Sequence, residues 1–137
     1  MAIKVTCAII ERDKRVLVTQ RNEHMSQAML WEFPGGKIEQ GETEQECVER
    51  ELQEELQIDI KAVQRLAPVT HHYSDKEIML IPYICRFIGG EISLAEHRAY
   101  NWAELQELHS YTWCPADVPV VEQYLAYRAH AASADSD

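Results

Sequence analysis

The sequence lacks the cysteine spacings that small proteins use for disulfide crosslinks and metal sites. Cys7, Cys47, Cys85 and Cys114 stand singly, and no C-x-x-C pair occurs. Disulfide frameworks and zinc sites both depend on recurring cysteine spacings, so this pattern argues against either. We expect four ordinary reduced thiols that are partly buried.

Long hydrophobic runs are also absent. No stretch approaches the length of a membrane span, and the opening segment from Met1 to Thr6 lacks the apolar core and cleavage site of a signal peptide. We therefore expect a cytoplasmic protein with no membrane association.

Positive charge is scarce. The chain has 13 Lys and Arg against 23 Asp and Glu, a formal net charge of -10. Such a surface repels nucleic-acid backbones, so we expect no stable binding to nucleic acid. A small anionic ligand would fit only where clustered carboxylates hold divalent cations that reverse the local sign.

The order of apolar segments predicts one α/β (α+β) domain over residues 1–130. Ile3 to Ile10 and Val16 to Thr19 flank a charged turn and predict a β-hairpin. Two further strands are predicted from Ala62 to Tyr73 and from Glu77 to Ile88, where Pro82 suggests an edge or a bulge. We expect a mixed sheet with helices on its faces.

The C-terminal part of the chain gives four further predictions. They are a short strand around Trp102, helical turns over 103–108, a last helix from Val118 to about Arg128 capped by Asp117, and a disordered tail over 131–137.

The segment from Glu44 to Leu56 contains neither proline nor glycine, the residues that interrupt helices. Thr43 precedes it and Glu46 follows three residues later, which is the pattern of a capping box. We predict a helix over this segment. Its apolar stripe, expected to face the core, consists of Val48, Leu52 and Leu56.

Three acidic residues of this helix lie next to that stripe. Glu51, Glu54 and Glu55 occupy positions i, i+3 and i+4, so their side chains can reach a common point. Like charges at this spacing repel by roughly 0.2–0.5 kcal/mol per pair, and Arg50 relieves only part of that. A hard divalent cation would remove the conflict, and ligation by oxygens and retained waters is what Mg²⁺ prefers. Taken alone, an acidic helix is more typical of a solvated surface than of a metal site.

The region from Gly36 to Ile58 resembles the Nudix box, G-x5-E-x7-R-E-U-x-E-E-x-G-U, in which U is a bulky apolar residue. The single departure is Gln57, which stands where the family has a helix-ending glycine. A left-handed conformation there costs glutamine about 1 kcal/mol, so we expect a modest loss of stability and retained activity. The matching positions are Gly36, Glu42, Arg50, Glu51, Leu52, Glu54, Glu55 and Ile58.

The resemblance implies an α/β/α sandwich and a hydrolase that uses Mg²⁺, with Mn²⁺ as an acceptable substitute. By position, Arg50 corresponds to a residue that orients a catalytic glutamate. Glu96, in a loop before Trp102, corresponds to a further metal ligand or a base. The general base is left open among Glu54, Glu55 and Glu96, and the implied metal ligands are Glu51, Glu54, Glu55, Glu96 and the carbonyl of Gly35.

Two segments that extend the resemblance past the box are similar to the MutT and CTP pyrophosphohydrolase subgroup. These are 32–37, Glu-Phe-Pro-Gly-Gly-Lys, and 115–119, Pro-Ala-Asp-Val-Pro. The resemblance implies hydrolysis of nucleoside triphosphates to the monophosphate and pyrophosphate, by attack on the β-phosphorus. Asp117 corresponds to a base-reading position, which leaves both 8-oxo-dGTP and cytosine nucleotides open as substrates. Candidate substrate contacts are Asp117, Phe33, Arg21 and Lys37. His97 and Arg98 are further phosphate-contact candidates, but the favoured interpretation of both is a solvated loop charge.

Three alternatives remain beside this hypothesis. They are hydrolysis of another nucleotide diphosphate derivative, a non-catalytic nucleotide-sensing module, and a structural calcium site. The MutT-like flanks argue against the first, the complete set of box acids against the second, and the lack of an EF-hand loop pattern against the third. The sequence leaves monomer and homodimer equally open.

Overall fold

A long parallel pair of strands forms the centre of the sheet. In the computed structural model, which describes residues 2–135, β1 (Ala2–Arg12) and β7 (Lys76–Gly89) run parallel. Both contain continuous buried runs, as expected of strands covered on both faces. The other strands are β2 (Arg15–Gln20), β3 (Trp31–Glu32), β4 (Gly35–Lys37), β5 (Asp59–Arg65), β6 (Val69–Tyr73) and β8 (Ala99–Glu104).

The sheet is mixed, as predicted. Its order is β3-β2-β1-β7-β5, with β4 on β1, β6 on β7 and β8 on β2. The predicted hairpin is confirmed, because β1 and β2 pair antiparallel around the turn that begins at Arg12. In this sheet the Gly-Gly strand β4 pairs antiparallel with β1.

The single strand predicted from Ala62 to Tyr73 is wrong, because the structure has two strands there. β5 and β6 pair with successive stretches of β7, and Pro82 lies in the gap between those stretches. Pro82 has no N–H to donate to a neighbouring strand, whereas its carbonyl still accepts from Leu66 N–H at 2.9 Å. Pro82 therefore lies where the strand that pairs with this edge of β7 changes from β6 to β5.

Two helices cover opposite faces of the sheet. α1 (Glu44–Leu56) buries Cys47, Val48, Leu52 and Leu56, which confirms the predicted stripe. α2 (Val118–Asp135) contributes Val120, Val121 and Tyr124 to a second, separate core cluster. The arrangement is the expected α/β/α sandwich.

The end of α2 corrects the predicted tail. The helix continues to Asp135, past its expected end near Arg128, so residues 131–135 are helical rather than disordered. Alanine recurs through this segment and is the strongest helix former. Residues 136–137 of the predicted tail lie outside the described residues. Within 2–135 no helix is long and apolar enough to cross a membrane, and the four cysteines are buried and free of disulfides.

Candidate active site

The acid-bearing helix is fixed at both ends by its own sequence. At the start, Glu46 N–H donates to Thr43 Oγ1 at 3.0 Å, and Thr43 N–H donates to Glu46 Oε1 at 2.9 Å, which confirms the capping box. At the end, Gln57 adopts the left-handed conformation with φ 58° and ψ 36°. The glutamine thus takes the backbone geometry that glycine favours, as the sequence comparison with the box predicted.

The two glycines of β4 permit close approaches that no other residue would allow. A Cβ on Gly35 would lie 2.0 Å from the carbonyl oxygen of Thr6, and a Cβ on Gly36 would lie 2.3 Å from Cδ of Glu51. The first contact lets β4 lie on β1, and the second leaves room for a carboxylate of α1. Gly36 therefore forms a cradle for Glu51.

Arg50 gathers the neighbouring acids. Its Nε and Nη2 donate to the two oxygens of Glu42 at 2.5 and 3.0 Å. Its Nη1 donates to Glu51 at 2.8 Å and to Glu54 at 3.2 Å, and Nη2 also reaches the carbonyl of Lys37 at 3.2 Å. The Arg50 hydrogen bonds, with a backbone N–H, lower the pKa of Glu42 to about 2. Arg50 thereby ties the loop before α1 to the acids on the helix.

Glu55 is the acid that Arg50 does not hold. Its Oε2 is buried, and no hydrogen-bond partner lies within reach. Burial, followed by the charges of Glu51, Glu32 and Glu96, raises the pKa of Glu55 from 4.5 to about 8. A buried carboxylate oxygen without a partner is costly, because its lost hydration is not replaced. A cation or a proton at this carboxyl would therefore be stabilising.

The three box acids share one side of α1, but they do not yet surround a common point. Across residues 2–135, no three His, Cys, Asp or Glu side chains are gathered closely enough to hold a metal ion as they stand. The reason is that Glu51 and Glu54 turn toward Arg50, whereas Glu55 points inward. The shared face predicted from the sequence is present, but two of its three acids are held by Arg50.

A cavity of about 610 Å³ lies beside this group of acids. Its wall includes Glu32 of β3, whose charge also acts on Glu55, so the cavity and the acids are neighbours. Asp117 lines the cavity from the segment before α2, and Arg21 lines it from the loop after β2. Further lining residues are Ser26, Gln27, Tyr73, Lys76, Ile78, Leu80 and Cys114.

Asp117 is buried, with 5% of its surface exposed, and its Oδ2 accepts from Phe33 N–H at 2.9 Å. Burial raises the pKa of Asp117 well above its ordinary value, and the Phe33 hydrogen bond only partly opposes this. The expected role of Asp117 as a helix cap is replaced by this bond to Phe33, the residue that follows β3. The Phe33 side chain does not line the cavity: it is 3% exposed and packs on Trp113 with 4.9 Å between ring centroids. Phe33 contributes its backbone, not a stacking surface.

The remaining candidate site residues differ in their exposure and in their hydrogen-bond partners. Arg21 lines the cavity but is already paired with Glu32, at 2.8 Å from Nη1 to Oε1. Lys37 and Glu96 are exposed, and Glu96 is near enough to Glu55 to raise its pKa. His97 is not a solvated charge, because its side chain is 2% exposed and its Nε2 lies 2.9 Å from Glu32 Oε2.

Sequence reasoning missed Glu32, Tyr73 and Lys76 as parts of the cavity wall. Glu32 had a signal, since it opens the Glu-Phe-Pro-Gly-Gly-Lys segment. Tyr73 and Lys76 had none, because they flank the turn between β6 and β7 and reach the site only through the folding of the sheet.

A mixed sheet between two helices, with an acidic helix following a Gly-Gly strand, defines the Nudix class of proteins. The chain belongs to this family: the NUDIX domain model matches residues 5–123. Enzymes of this family generally use divalent metal ions.

Relatives of known activity cover nearly the whole chain. It is similar to the CTP pyrophosphohydrolase of Escherichia coli K12, with 38% identity over 127 residues, 93% of this chain and 94% of that protein. It is also similar to the 8-oxo-dGTP diphosphatase of the same organism, with 31% identity over 120 residues, 87% of this chain and 93% of that protein. Among solved structures it resembles the MutT protein of Methanosarcina mazei Go1, with a TM-score of 0.83, 25% identity, and coverage of 93% of this chain and 95% of that one.

Proposed function

We propose that the protein is a nucleoside triphosphate pyrophosphohydrolase that requires Mg²⁺, with Mn²⁺ as an acceptable substitute, and releases the nucleoside monophosphate and pyrophosphate. The observation that carries this proposal is the partnerless, buried Oε2 of Glu55 among the charges of Glu51, Glu32 and Glu96. That concentration of negative charge lies next to a cavity large enough for a nucleobase. Relatives named as a CTP pyrophosphohydrolase and an 8-oxo-dGTP diphosphatase support the same class of substrate.

The residues fit a hard divalent cation. The donors near Glu55 are all oxygens, which suits Mg²⁺ and Mn²⁺ better than softer metals. The absence of a Cβ on Gly36 leaves the space that the Glu51 carboxylate occupies. We propose as ligands the carboxylates of Glu51, Glu54, Glu55 and Glu96, together with the carbonyl of Gly35.

The residues of the site would then have separate roles in the reaction. A bound cation would supply charge neutralisation of the phosphates and a lowered pKa for a coordinated water. Arg50 restrains Glu51 and Glu54 through hydrogen bonds from its Nη1. A glutamate base takes the proton of the water that attacks the β-phosphorus, and the bond from that phosphorus to the α–β bridging oxygen breaks, so the oxygen leaves with the monophosphate.

The base is one of Glu54, Glu55 and Glu96. Glu54 and Glu96 are exposed, whereas Glu55 is mostly buried. A base removes a proton in the transition state, whereas a ligand that only holds the metal also sets the metal affinity. The glutamine variant whose kcat stays low even at saturating Mn²⁺, where weaker metal binding no longer limits the rate, therefore identifies the base.

Asp117 is our candidate for reading the nucleobase, with Arg21 and Lys37 as candidate contacts elsewhere on the substrate. A neutral carboxyl carries one O–H donor as well as acceptor capacity, whereas a carboxylate only accepts. The raised pKa of Asp117 favours the neutral form. The neutral form complements a nucleobase edge that presents one acceptor and one amine donor, such as N3 and N4 of cytosine. 8-oxo-dGTP remains the second candidate substrate.

The test is hydrolysis of a panel of triphosphates, including CTP, dCTP and 8-oxo-dGTP, by the purified chain with Mg²⁺. We expect release of pyrophosphate, and a comparison of kcat/KM for CTP and 8-oxo-dGTP ranks the two bases. Release of inorganic phosphate alone would show that the enzyme cleaves a different bond from the one proposed. The absence of turnover of any triphosphate would contradict the proposed function.

Three broader points belong to the same proposal. We place the protein in the cytoplasm as one domain that includes all of α2, acting on a small nucleotide. The net charge of -10 opposes stable binding to nucleic acid. Light scattering of the purified chain decides between monomer and homodimer.

A further inference from the structure

His97 contacts Glu32, a residue of the cavity wall. It lies in the loop before β8, and its imidazole is 2% exposed. Nε2 lies 2.9 Å from Glu32 Oε2. Because a carboxylate only accepts hydrogen bonds, Nε2 is the donor when Glu32 is ionised. The other ring nitrogen, Nδ1, is buried and has no partner.

Glu32, the partner of His97, is held at both oxygens. Arg21 Nη1 contacts Oε1 at 2.8 Å, and His97 contacts Oε2. The carboxylate therefore has one orientation, on the wall of the cavity. Its charge also acts on Glu55, which places it at the boundary between the cavity and the acidic group.

The backbone around His97 is attached to the same part of the fold. Asn22 Nδ2 donates to the carbonyl of Glu96 at 2.5 Å. On the other side, Arg98 N–H donates to the carbonyl of Gln20 at 2.9 Å. The imidazole stands between these two attachments, so its bond to Glu32 fixes the same loop that carries Glu96.

Stability alone does not account for this imidazole. A buried ring nitrogen without a partner loses its hydration and gains nothing in return. An apolar side chain of similar size would avoid that loss, and Arg21 would still hold Glu32. The position of the ring is therefore better explained by what it orients.

We propose that His97 is a positioning residue that fixes the Glu32 carboxylate in the cavity wall and the Glu96 loop beside the acids of α1. The inference rests on the proposed function, since it assigns the cavity to the nucleobase and the acids to the metal. One side chain then couples base selection to metal affinity.

The experiment compares the wild-type protein with His97→Leu and His97→Gln. Leucine removes the bond to Glu32 and the unpartnered nitrogen together. Glutamine restores an N–H donor at a comparable reach. His109→Leu is the matched control, because His109 is exposed and forms a surface pair with Glu122 at 2.6 Å. The measurements are kcat/KM for CTP and 8-oxo-dGTP, Mn²⁺ affinity by electron paramagnetic resonance, and the thermal midpoint.

For His97→Leu we expect kcat/KM on the better nucleotide to fall about tenfold to hundredfold, as when an outer-shell partner of a metal site is lost. The ratio between the two nucleotides should move toward one and Mn²⁺ affinity should weaken, with little change in the thermal midpoint. His97→Gln should recover most of each loss, and His109→Leu should match the wild type.

The inference is overturned if His97→Leu keeps both the nucleotide ratio and the Mn²⁺ affinity of the wild type. It is also overturned if the thermal midpoint and activity fall together while the ratio and affinity stay constant, since that is a purely structural role. If the wild-type protein hydrolyses neither nucleotide, the proposed function fails by itself. Mn²⁺ affinity then decides on His97: a weaker value for His97→Leu supports its positioning role, and equal values overturn it.

Discussion

The carboxylate of Glu51 lies in the space that a side chain on Gly36 would fill. A Cβ added to Gly36 would stand 2.3 Å from Cδ and 2.4 Å from Oε2 of Glu51. The glycine of β4 and the glutamate of α1 are thus matched in shape across the site. This relationship gives a physical reason for the glycine that opens the box.

Gly36→Ala should therefore displace the Glu51 carboxylate while leaving the fold intact, because the end of a glutamate side chain can rotate away. We expect kcat/KM to fall about a hundredfold, the loss typical of a reacting group misplaced by about 1 Å. The Mg²⁺ concentration for half-maximal rate should rise. Steady-state kinetics over a Mg²⁺ titration measure both effects.

Gly89→Ala is the control for this substitution. A Cβ at Gly89 would meet nothing within 4 Å, so activity and Mg²⁺ dependence should stay at wild-type values. Equal kinetics for Gly36→Ala and the wild type would show that the position of Glu51 does not matter to the reaction.

Replacing Gln57 by glycine should stabilise the protein. Gln57 ends α1 with φ 58°, a conformation that favours glycine, so the change should add about 1 kcal/mol to the free energy of unfolding. Urea unfolding measures the difference. Gln45→Gly, an exposed site within the same helix, should lower the free energy of unfolding by about 0.5–1 kcal/mol. A loss of stability at both sites would contradict the left-handed assignment.

The free energy of unfolding should depend on pH through Glu55. Without divalent ions the folded state holds the Glu55 proton to about pH 8, whereas the unfolded chain releases it near 4.5. The folded state binds more protons between these values, so the contribution of Glu55 to stability falls as pH rises from about 4.5 to about 8. Glu55→Gln removes this contribution.

Urea unfolding of both proteins in EDTA, at several values between pH 5 and pH 8, isolates the effect by subtraction. The advantage of the glutamine variant should grow with pH and should shrink when Mg²⁺ is added to the wild-type protein. A constant difference between the two proteins across this range would show that Glu55 titrates normally.

Local features of the site were predictable from the sequence because short-range rules determine them. Thr43 and Glu46 are three residues apart and cap the helix wherever the chain goes. The same holds for the acids of α1, whose spacing places them on one face. The left-handed conformation of Gln57 followed from its position in the box.

Long-range pairings were not predictable in the same way. Glu32 and His97 are 65 positions apart, and nothing near either residue indicates the other. Phe33 was a candidate substrate contact, but its ring completes a core with Trp113 that exists only once the sheet has formed. The rotation of Glu51 and Glu54 toward Arg50 likewise depends on competing charges in space, which spacing along a helix does not determine.

The central claim is that the acids of α1 bind the divalent ion that the reaction needs. Mn²⁺ binding followed by electron paramagnetic resonance tests it most directly, in the wild-type protein and in Glu51→Gln, Glu54→Gln, Glu55→Gln and, as an exposed control, Glu91→Gln. We expect the wild type and Glu91→Gln to bind Mn²⁺ alike and each variant of α1 to bind it at least about tenfold more weakly. Wild-type affinity in all three α1 variants would contradict the account.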